Sequence, residues 1–181
     1  MVVYYAALSL DGRIAGPDHD LAFLQTLDGG NDYLDFYAGV DSLVMGARTW
    51  DFMVAHGSWP YAGKPTWIVT HAEELAPLEG AVVETYAGDL AQLVSRIGAS
   101  GYERTWLVGG GDLAGQLLDA DLLDELILTV APTRVGRGPA LADGVFPQRL
   151  FTLVEMERFG RNGVRMRYER QRTHPEAPPP R

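Results

Sequence analysis

Thr105-Trp106-Leu107-Val108 is an apolar run of strand length, and Gly109-Gly110-Gly111 follows it at once. Asp112-Leu113-Ala114-Gly115-Gln116-Leu117-Leu118 then carries apolar residues at helical spacing. A strand that passes through glycines straight into a helix is half of a strand–helix–strand crossover, the building block of parallel sheets. The same arrangement suits a phosphate. Glycines omit the Cβ atoms that would hold a ligand away, and a helix N-terminus offers free N–H groups with a partial positive charge. These residues also read simply as a tight glycine-rich turn. The dinucleotide fingerprint G-x-G-x-x-G is not met, because Ala114 stands at its third glycine; only the looser form ending in alanine fits. The stretch also lies late in the chain, so a nucleotide-binding fold of another type is expected.

Strands and helices alternate elsewhere. Val2–Leu8, Ser42–Met45, Thr66–Thr70, Val82–Tyr86 and Glu125–Val130 read as strands. Asp32–Ala38, Thr49–Ala55 and Asp89–Ile97 read as helices, the last with Asp89 as its cap. Phe151–Met156 and Val164–Arg170 predict a hairpin turning at Arg161-Asn162-Gly163, where Asn-Gly is the turn signal. The fold class is therefore α/β: a mainly parallel central sheet flanked by helices, closed by an antiparallel C-terminal hairpin. Residues 1–171 form one domain in this reading, and the proline-rich residues 172–181 a disordered tail.

Hydrophobic residues make up 46% of the 181 positions, a globular proportion, and no apolar run is long enough to span a bilayer. No basic leader precedes the first strand, so cytoplasmic residence is expected. The absence of cysteine excludes disulfides, thiolate metal sites and cysteine nucleophiles. A net charge of −9 argues against nucleic acid. The C-terminal arginines alternate with Val164, Met166 and Tyr168, which is a strand with one solvated face. His19, His56, His71 and His174 lack the spacing of a metal site, so no metal is expected.

Three segments fall at the carboxyl ends of predicted parallel strands, where open α/β sheets bind ligands: Ser9–Gly16, Gly46–Trp50 and the triple glycine. Together they resemble the dihydrofolate reductase-like superfamily, and most closely the reductase domain of riboflavin biosynthesis and its stand-alone bacterial relatives. Ala6-Ala7-Leu8-Ser9-Leu10-Asp11-Gly12-Arg13-Ile14-Ala15 is similar to that family's first strand and Ser-x-Asp-Gly loop. Val44-Met45-Gly46-Ala47-Arg48-Thr49-Trp50 resembles its Met-Gly-x-x-Thr-aromatic element, and Val69-Thr70 a strand end beside the adenosine ribose. Val108-Gly109-Gly110-Gly111-Asp112-Leu113 resembles its glycine turn. Asp124-Glu125-Leu126, Val130-Ala131-Pro132 and Val135-Gly136-Arg137-Gly138 resemble a further segment of the riboflavin-type reductases.

The resemblance implies a dihydrofolate reductase-like fold, NADPH with NADH as the alternative, and hydride transfer to a small pterin- or pyrimidine-like heterocycle. It assigns cofactor contacts to Ala7, Ile14, Gly46, Arg48, Thr49, Thr70, Val108, Gly109, Gly110, Gly111, Asp112 and Leu113. Arg48 and Thr49 would bring a cation and a hydroxyl to a helix N-terminus; they read equally as a surface arginine and a helix cap. Asp112 stands where many relatives carry a basic residue, which weighs against NADPH; Arg48 and His71 would compensate. For the proton donor, Asp20 matches by local pattern and Asp32 by distance from Met45-Gly46, with Asp35 also in range; each reads also as a cap or a surface charge. Asp11 and Trp59 are substrate candidates; Asp11 reads also as orienting its loop or as a turn residue, and Trp59 and Tyr61, placed to wall the substrate pocket, read also as core or lid packing. Two other functions stay open. One is reduction of a ribosylaminopyrimidine in the riboflavin pathway, whose phosphate would need a basic cradle beyond Arg13 and Arg134. The other is non-catalytic binding of a nucleotide or pterin. The resemblance also implies a homodimer.

Overall fold

The computed structural model describes residues 1–28, 33–144 and 147–171. Eight strands form one sheet: β1 (Val2–Leu8), β2 (Ser42–Gly46), β3 (Thr66–Val69), β4 (Val83–Tyr86), β5 (Thr105–Gly109), β6 (Glu125–Val130), β7 (Phe151–Phe159) and β8 (Gly163–Arg170). Their order is β4-β3-β2-β5-β1-β6-β8-β7. The first six run parallel, and β8 pairs antiparallel with both β6 and β7. The expected α/β class, parallel sheet and terminal hairpin are all present. The helices are α1 (Tyr33–Ala38), α2 (Ala47–His56), α3 (Leu90–Ala99) and α4 (Gly111–Asp119). Among the described residues no helix is long and apolar enough to cross a membrane.

Successive strand side chains point to opposite faces, and the sheet sorts its apolar residues into two cores accordingly. Val2, Tyr4, Val44, Trp67 and Leu107 pack with α3 and α4 through Leu93, Ile97, Leu113 and Leu117. Val3, Leu43, Met45, Ile68 and Trp106 pack on the other face with Phe36 of α1 and Trp50 of α2. Trp50 is 2% exposed, so it serves the core. Asp89 caps α3 as expected, its carboxylate accepting from the Gln92 amide at 2.9 Å.

Two details differ from the sequence reading. Helix α2 begins at Ala47, two residues before Thr49, because the extended Gly46 ends β2 and opens the helix with no connecting loop. The terminal hairpin does not turn on Asn162-Gly163. Phe159 pairs with Gly163, the loop is Gly160-Arg161-Asn162, and the positive φ of 58° belongs to Gly160. Gly163 lies within β8, where a Cβ would sit 2.8 Å from Leu27 Cδ2 and 2.9 Å from the Phe159 carbonyl oxygen. The glycine of the Asn-Gly pair is thus required by packing. The strand arginines are matched with carboxylates: Arg167 reaches Glu125, Glu155 and Glu169, Arg165 reaches Glu157, and Arg170 reaches Asp121 and Asp124.

Candidate functional site

Strands β2 and β5 are neighbours, yet their onward connections leave in opposite directions, β2 toward β3 and β5 across β1 to β6. Such a switch point opens a crevice at the carboxyl ends of the strands. Helices α2 and α4 leave from opposite faces of the sheet there, since Trp50 and Leu113 belong to different cores. A cavity of about 600 Å³ occupies this position. Its lining runs from Thr70, His71 and Tyr86 at the ends of β3 and β4, past the starts of α2 and α4, to Ala6 and Ala7 on β1. From β4 to β1 is four strand spacings, roughly 19 Å at ~4.8 Å each, the reach of an extended dinucleotide.

Both helices begin on glycine, at Gly46 and Gly110, and neither has a side chain capping it. Their first-turn N–H groups therefore lack a side-chain acceptor, unlike those of α3. The two turns touch: a Cβ on Gly46 would lie 3.8 Å from the Gly110 amide nitrogen. Thr49, in the first turn of α2 and not its cap, holds its hydroxyl 3.4 Å and 3.6 Å from the Cβ positions of Gly109 and Gly110. Arg48 beside it is exposed and lines the cavity. Such a pair of helix starts with a guanidinium and a hydroxyl fits a diphosphate.

The three glycines have separate reasons. Gly109 has φ of 148°, which a side chain rarely adopts, and its peptide bond to Gly110 is cis. Gly110 is extended, and a Cβ there would make ordinary contact with Thr49 alone. At Gly111 the Cβ direction is already filled: a Cβ there would meet the Ala140 carbonyl oxygen at 2.3 Å. Gly115, one turn on, would meet the Asp143 carbonyl oxygen at 1.8 Å. These two glycines let α4 dock on the backbone of residues 140–143, where the Asp143 amide donates to the Gly111 carbonyl at 2.9 Å. β5 carries an irregularity just before, with Val44 opposite Leu107 and Met45 opposite Gly109, so Val108 is the extra residue. A bulge re-aims the chain at such a position.

All twelve residues assigned to the cofactor line this cavity: Ala7, Ile14, Gly46, Arg48, Thr49, Thr70, Val108, Gly109, Gly110, Gly111, Asp112 and Leu113. The other assignments fall elsewhere. Asp20 is exposed, and its carboxylate accepts from the Ala22 amide at 2.8 Å, which makes it a turn cap outside the lining. Asp32 lies outside the described residues. Asp35 is exposed on α1 and lines a smaller crevice of about 320 Å³ with Arg104, Arg165 and Arg167. Trp59 packs edge-on against Trp50 and Tyr61, with centroids at 5.7 Å and 5.2 Å, and it is Tyr61 that reaches the cavity.

Asp11 is a fastener and does not line the cavity. Its carboxylate accepts from Ser9 Oγ at 2.7 Å, the Val135 amide at 3.0 Å and the Gly136 amide at 2.7 Å. Those hydrogen bonds, that from Val135 foremost, hold its carboxyl well below the usual carboxylate range. Ser9, 1% exposed, also accepts from the Arg13 amide, while Arg13 Nη1 donates to the Gly138 carbonyl at 3.0 Å. A bridge joins Arg13 to Ala140, and a Cβ on Gly138 would meet the Ala15 carbonyl oxygen at 2.1 Å. Residues 9–16 and 133–143 thus form one roof, contributing Ile14, Ala15, Pro139 and Asp143 to the lining.

Of the aromatic wall the sequence reading anticipated Tyr61 alone. Tyr5, Tyr61 and Trp106 line the cavity together with Phe52, Leu21 and Leu24. Trp106 stands edge-on to Tyr5 and Tyr61 at 6.1 Å and 5.4 Å. Burial pushes the Tyr61 and Tyr5 hydroxyls above their usual range, so both are neutral hydrogen-bond donors at neutral pH. The lining carboxylates are Asp112, exposed in the first turn of α4, and the half-buried Asp143. Among the described residues no cluster of three or more His, Asp or Glu could hold a metal ion.

Comparison with known proteins agrees with this geometry. The chain is 29% identical over 172 residues to the uncharacterised protein YwjB of Bacillus subtilis strain 168, covering 93% of this chain and 97% of that one. A putative riboflavin biosynthesis protein from Shewanella sp. PV-4 superposes with a TM-score of 0.86 at 26% identity, over 94% of this chain and 99% of that one. Dihydrofolate reductase from Enterococcus faecalis, solved with NADP(H), shares the fold with a TM-score of 0.57 at 19% identity, over 94% and 96% of the two chains. Residues 56–164, which contain the glycine turn, β3 to β7 and the roof segment, match the RibD C-terminal domain, and the chain belongs to that family.

Proposed function

We propose that this protein is an NADPH-dependent reductase of a small pterin- or pyrimidine-like heterocycle. The observation that carries the reading is the meeting of two uncapped helix starts, at Gly46 and Gly110, on neighbouring strands, with Arg48 and Thr49 beside them. Family membership and a dihydrofolate reductase neighbour solved with NADP(H) support it. The first-turn amides of α2 and α4 would hold the diphosphate, with Arg48 adding a cation. Thr70 and His71 would serve the adenosine end, and Ala7 and Val108 the nicotinamide end. A bound nicotinamide would supply the hydride. The chain's part is to orient the heterocycle against Ala7 and Val108, exclude water with the roof, and donate hydrogen bonds from Tyr5 and Tyr61. Cytoplasmic residence goes with this role.

The protein acts as a symmetric homodimer built through the hairpin side of the sheet. Supporting this, β7 is a sheet edge, and Leu153, Met156 and Val164 near it are 47%, 64% and 39% exposed.

Titration of NADPH and NADH against tryptophan fluorescence tests the cofactor, with Trp106 in the cavity wall as a reporter. Arg48→Ala should weaken NADPH binding by about 1.5–3 kcal/mol, the range for a hydrogen bond to a charged group. A larger loss for NADPH than for NADH puts Arg48 at the 2′-phosphate, and no loss for either removes it from the site. A second reading, a non-catalytic dinucleotide- or pterin-binding protein, draws on one observation: neither lining carboxylate is buried. NADPH oxidation with any heterocycle in a substrate screen eliminates it.

A further inference from the structure

We infer that the substrate end of this cavity takes a flat heterocycle bearing no phosphate group; the inference rests on the reductase reading above. Among the described residues the lining contains one guanidinium, Arg48, two imidazoles, His19 beside Phe52 and His71 at the end of β3, and no lysine, against two carboxylates, Asp112 and Asp143. Arg48 stands in the first turn of α2, where the cofactor's phosphates gather, so a bound dinucleotide engages it. The other basic groups near the roof are committed or turned out. Arg13 donates to the Gly138 carbonyl, and Arg134 and Arg137 are exposed outside the lining. Outside the described residues, 29–32 and 145–146 contain no lysine or arginine, and 172–181 contain Arg172 and Arg181.

A phosphate dianion at the substrate end would therefore be desolvated with no guanidinium or ammonium partner among the described lining residues and in the field of two carboxylates, a penalty that the single imidazole of His19 does not turn into an anchor. The chain's net charge of −9 adds to it. What that end does offer is mostly flat and apolar: the rings of Tyr5, Tyr61, Trp106 and Phe52, with His19 beside Phe52 and apolar Ile14, Leu21 and Leu24. Aromatic walls take a planar ring by stacking or edge contact, and two phenol hydroxyls can donate to its polar edge.

The test compares matched pairs on protein saturated with NADPH. Calorimetry measures binding of 5-amino-6-ribosylaminouracil against its 5′-phosphate, and of 7,8-dihydroneopterin against its monophosphate. The phosphate-free member of at least one pair should bind, and wherever a pair binds, that member should bind at least tenfold more tightly. In Leu21→Arg, which adds a cation at an exposed lining position, the ratio should fall at least threefold. A phosphorylated member that binds as tightly as its partner overturns the inference, as does a ratio unmoved by Leu21→Arg. Failure of every phosphate-free member to bind the NADPH-loaded protein overturns it too. Failure of NADPH itself to bind is a separate result and removes the reductase reading beneath it.

Discussion

Gly115 and Gly98 allow one substitution to be tried in two helices with opposite expected signs. By helix propensity, glycine to alanine in a helix interior is worth up to ~1 kcal/mol of added stability. Gly98 in α3 has nothing within 4 Å of where its Cβ would stand, so Gly98→Ala should realise about 0.5–1 kcal/mol of that. Gly115 has the Asp143 carbonyl oxygen at 1.8 Å and its carbon at 2.9 Å, both backbone atoms that cannot swing aside. Gly115→Ala must push residues 140–143 off α4, at an overpacking cost of about 1–3 kcal/mol or somewhat more. Losing the hydrogen bond from the Asp143 amide to the Gly111 carbonyl adds roughly 1 kcal/mol. Set against the propensity gain, a net loss of about 1–3 kcal/mol remains, or roughly 2–12 °C in Tm for a domain of this size. Urea unfolding of both variants gives the comparison directly, with an unchanged m-value showing that stability alone has moved. Gly115→Ala at or above wild-type stability would refute the docking of α4 on the roof segment.

Three further outcomes are expected. Gly110→Val should fold, since its backbone is extended and a Cβ meets Thr49 Oγ1 at an ordinary 3.6 Å, but it should lose NADPH binding, read by fluorescence titration; retained affinity would empty the proposed diphosphate site. Asp11→Asn should destabilise the protein at neutral pH, because its folded-state pKa is depressed by the Val135 amide, Ser9 and Gly136. Its contribution is present above the ordinary value of 3.8 and is lost as pH falls through the folded value, so the stability gap to the parent protein should narrow below pH 3.8 and stay constant from pH 5 to 8. A gap that widens on acidification would contradict the fastener role. Light scattering at low micromolar concentration should give twice the 19.8 kDa chain mass, and Met156→Glu should return it to one; a parent protein already at 19.8 kDa refutes the dimer.

What could be read in the sequence was local. Strand-then-glycine segments carry their own geometry, so Gly46–Thr49 and Val108–Leu113 were located on the cavity from pattern alone. The aromatic wall was hidden because Tyr5 and Trp106 sit in strands with the same alternation as core residues. Nothing along the chain tells which apolar side chain ends beside a void. Asp143 and its neighbours lie in coil without periodicity, and their docking shows only through the helical spacing of Gly111 and Gly115, which reads equally as a poor helix. Asp20 misled as a proton donor, and Asp11 took its loop-orienting reading over its substrate one, for a common reason. A short acidic side chain beside a turn finds backbone amides close at hand, at Ala22 for one and at Val135 and Gly136 for the other.

The two cores meet only through the sheet between them, and the cavity lies at the strand ends where α2 of one core and α4 of the other begin. A ligand gripping both helix starts ties an element of one core to an element of the other. Occupancy is then felt by the whole chain: ligand at a hundred times its Kd adds about 2.7 kcal/mol to the folded state. Melting temperature becomes a search instrument for a protein whose substrate has no name. Compounds that raise it only when the dinucleotide is already present are those that seat against the aromatic wall.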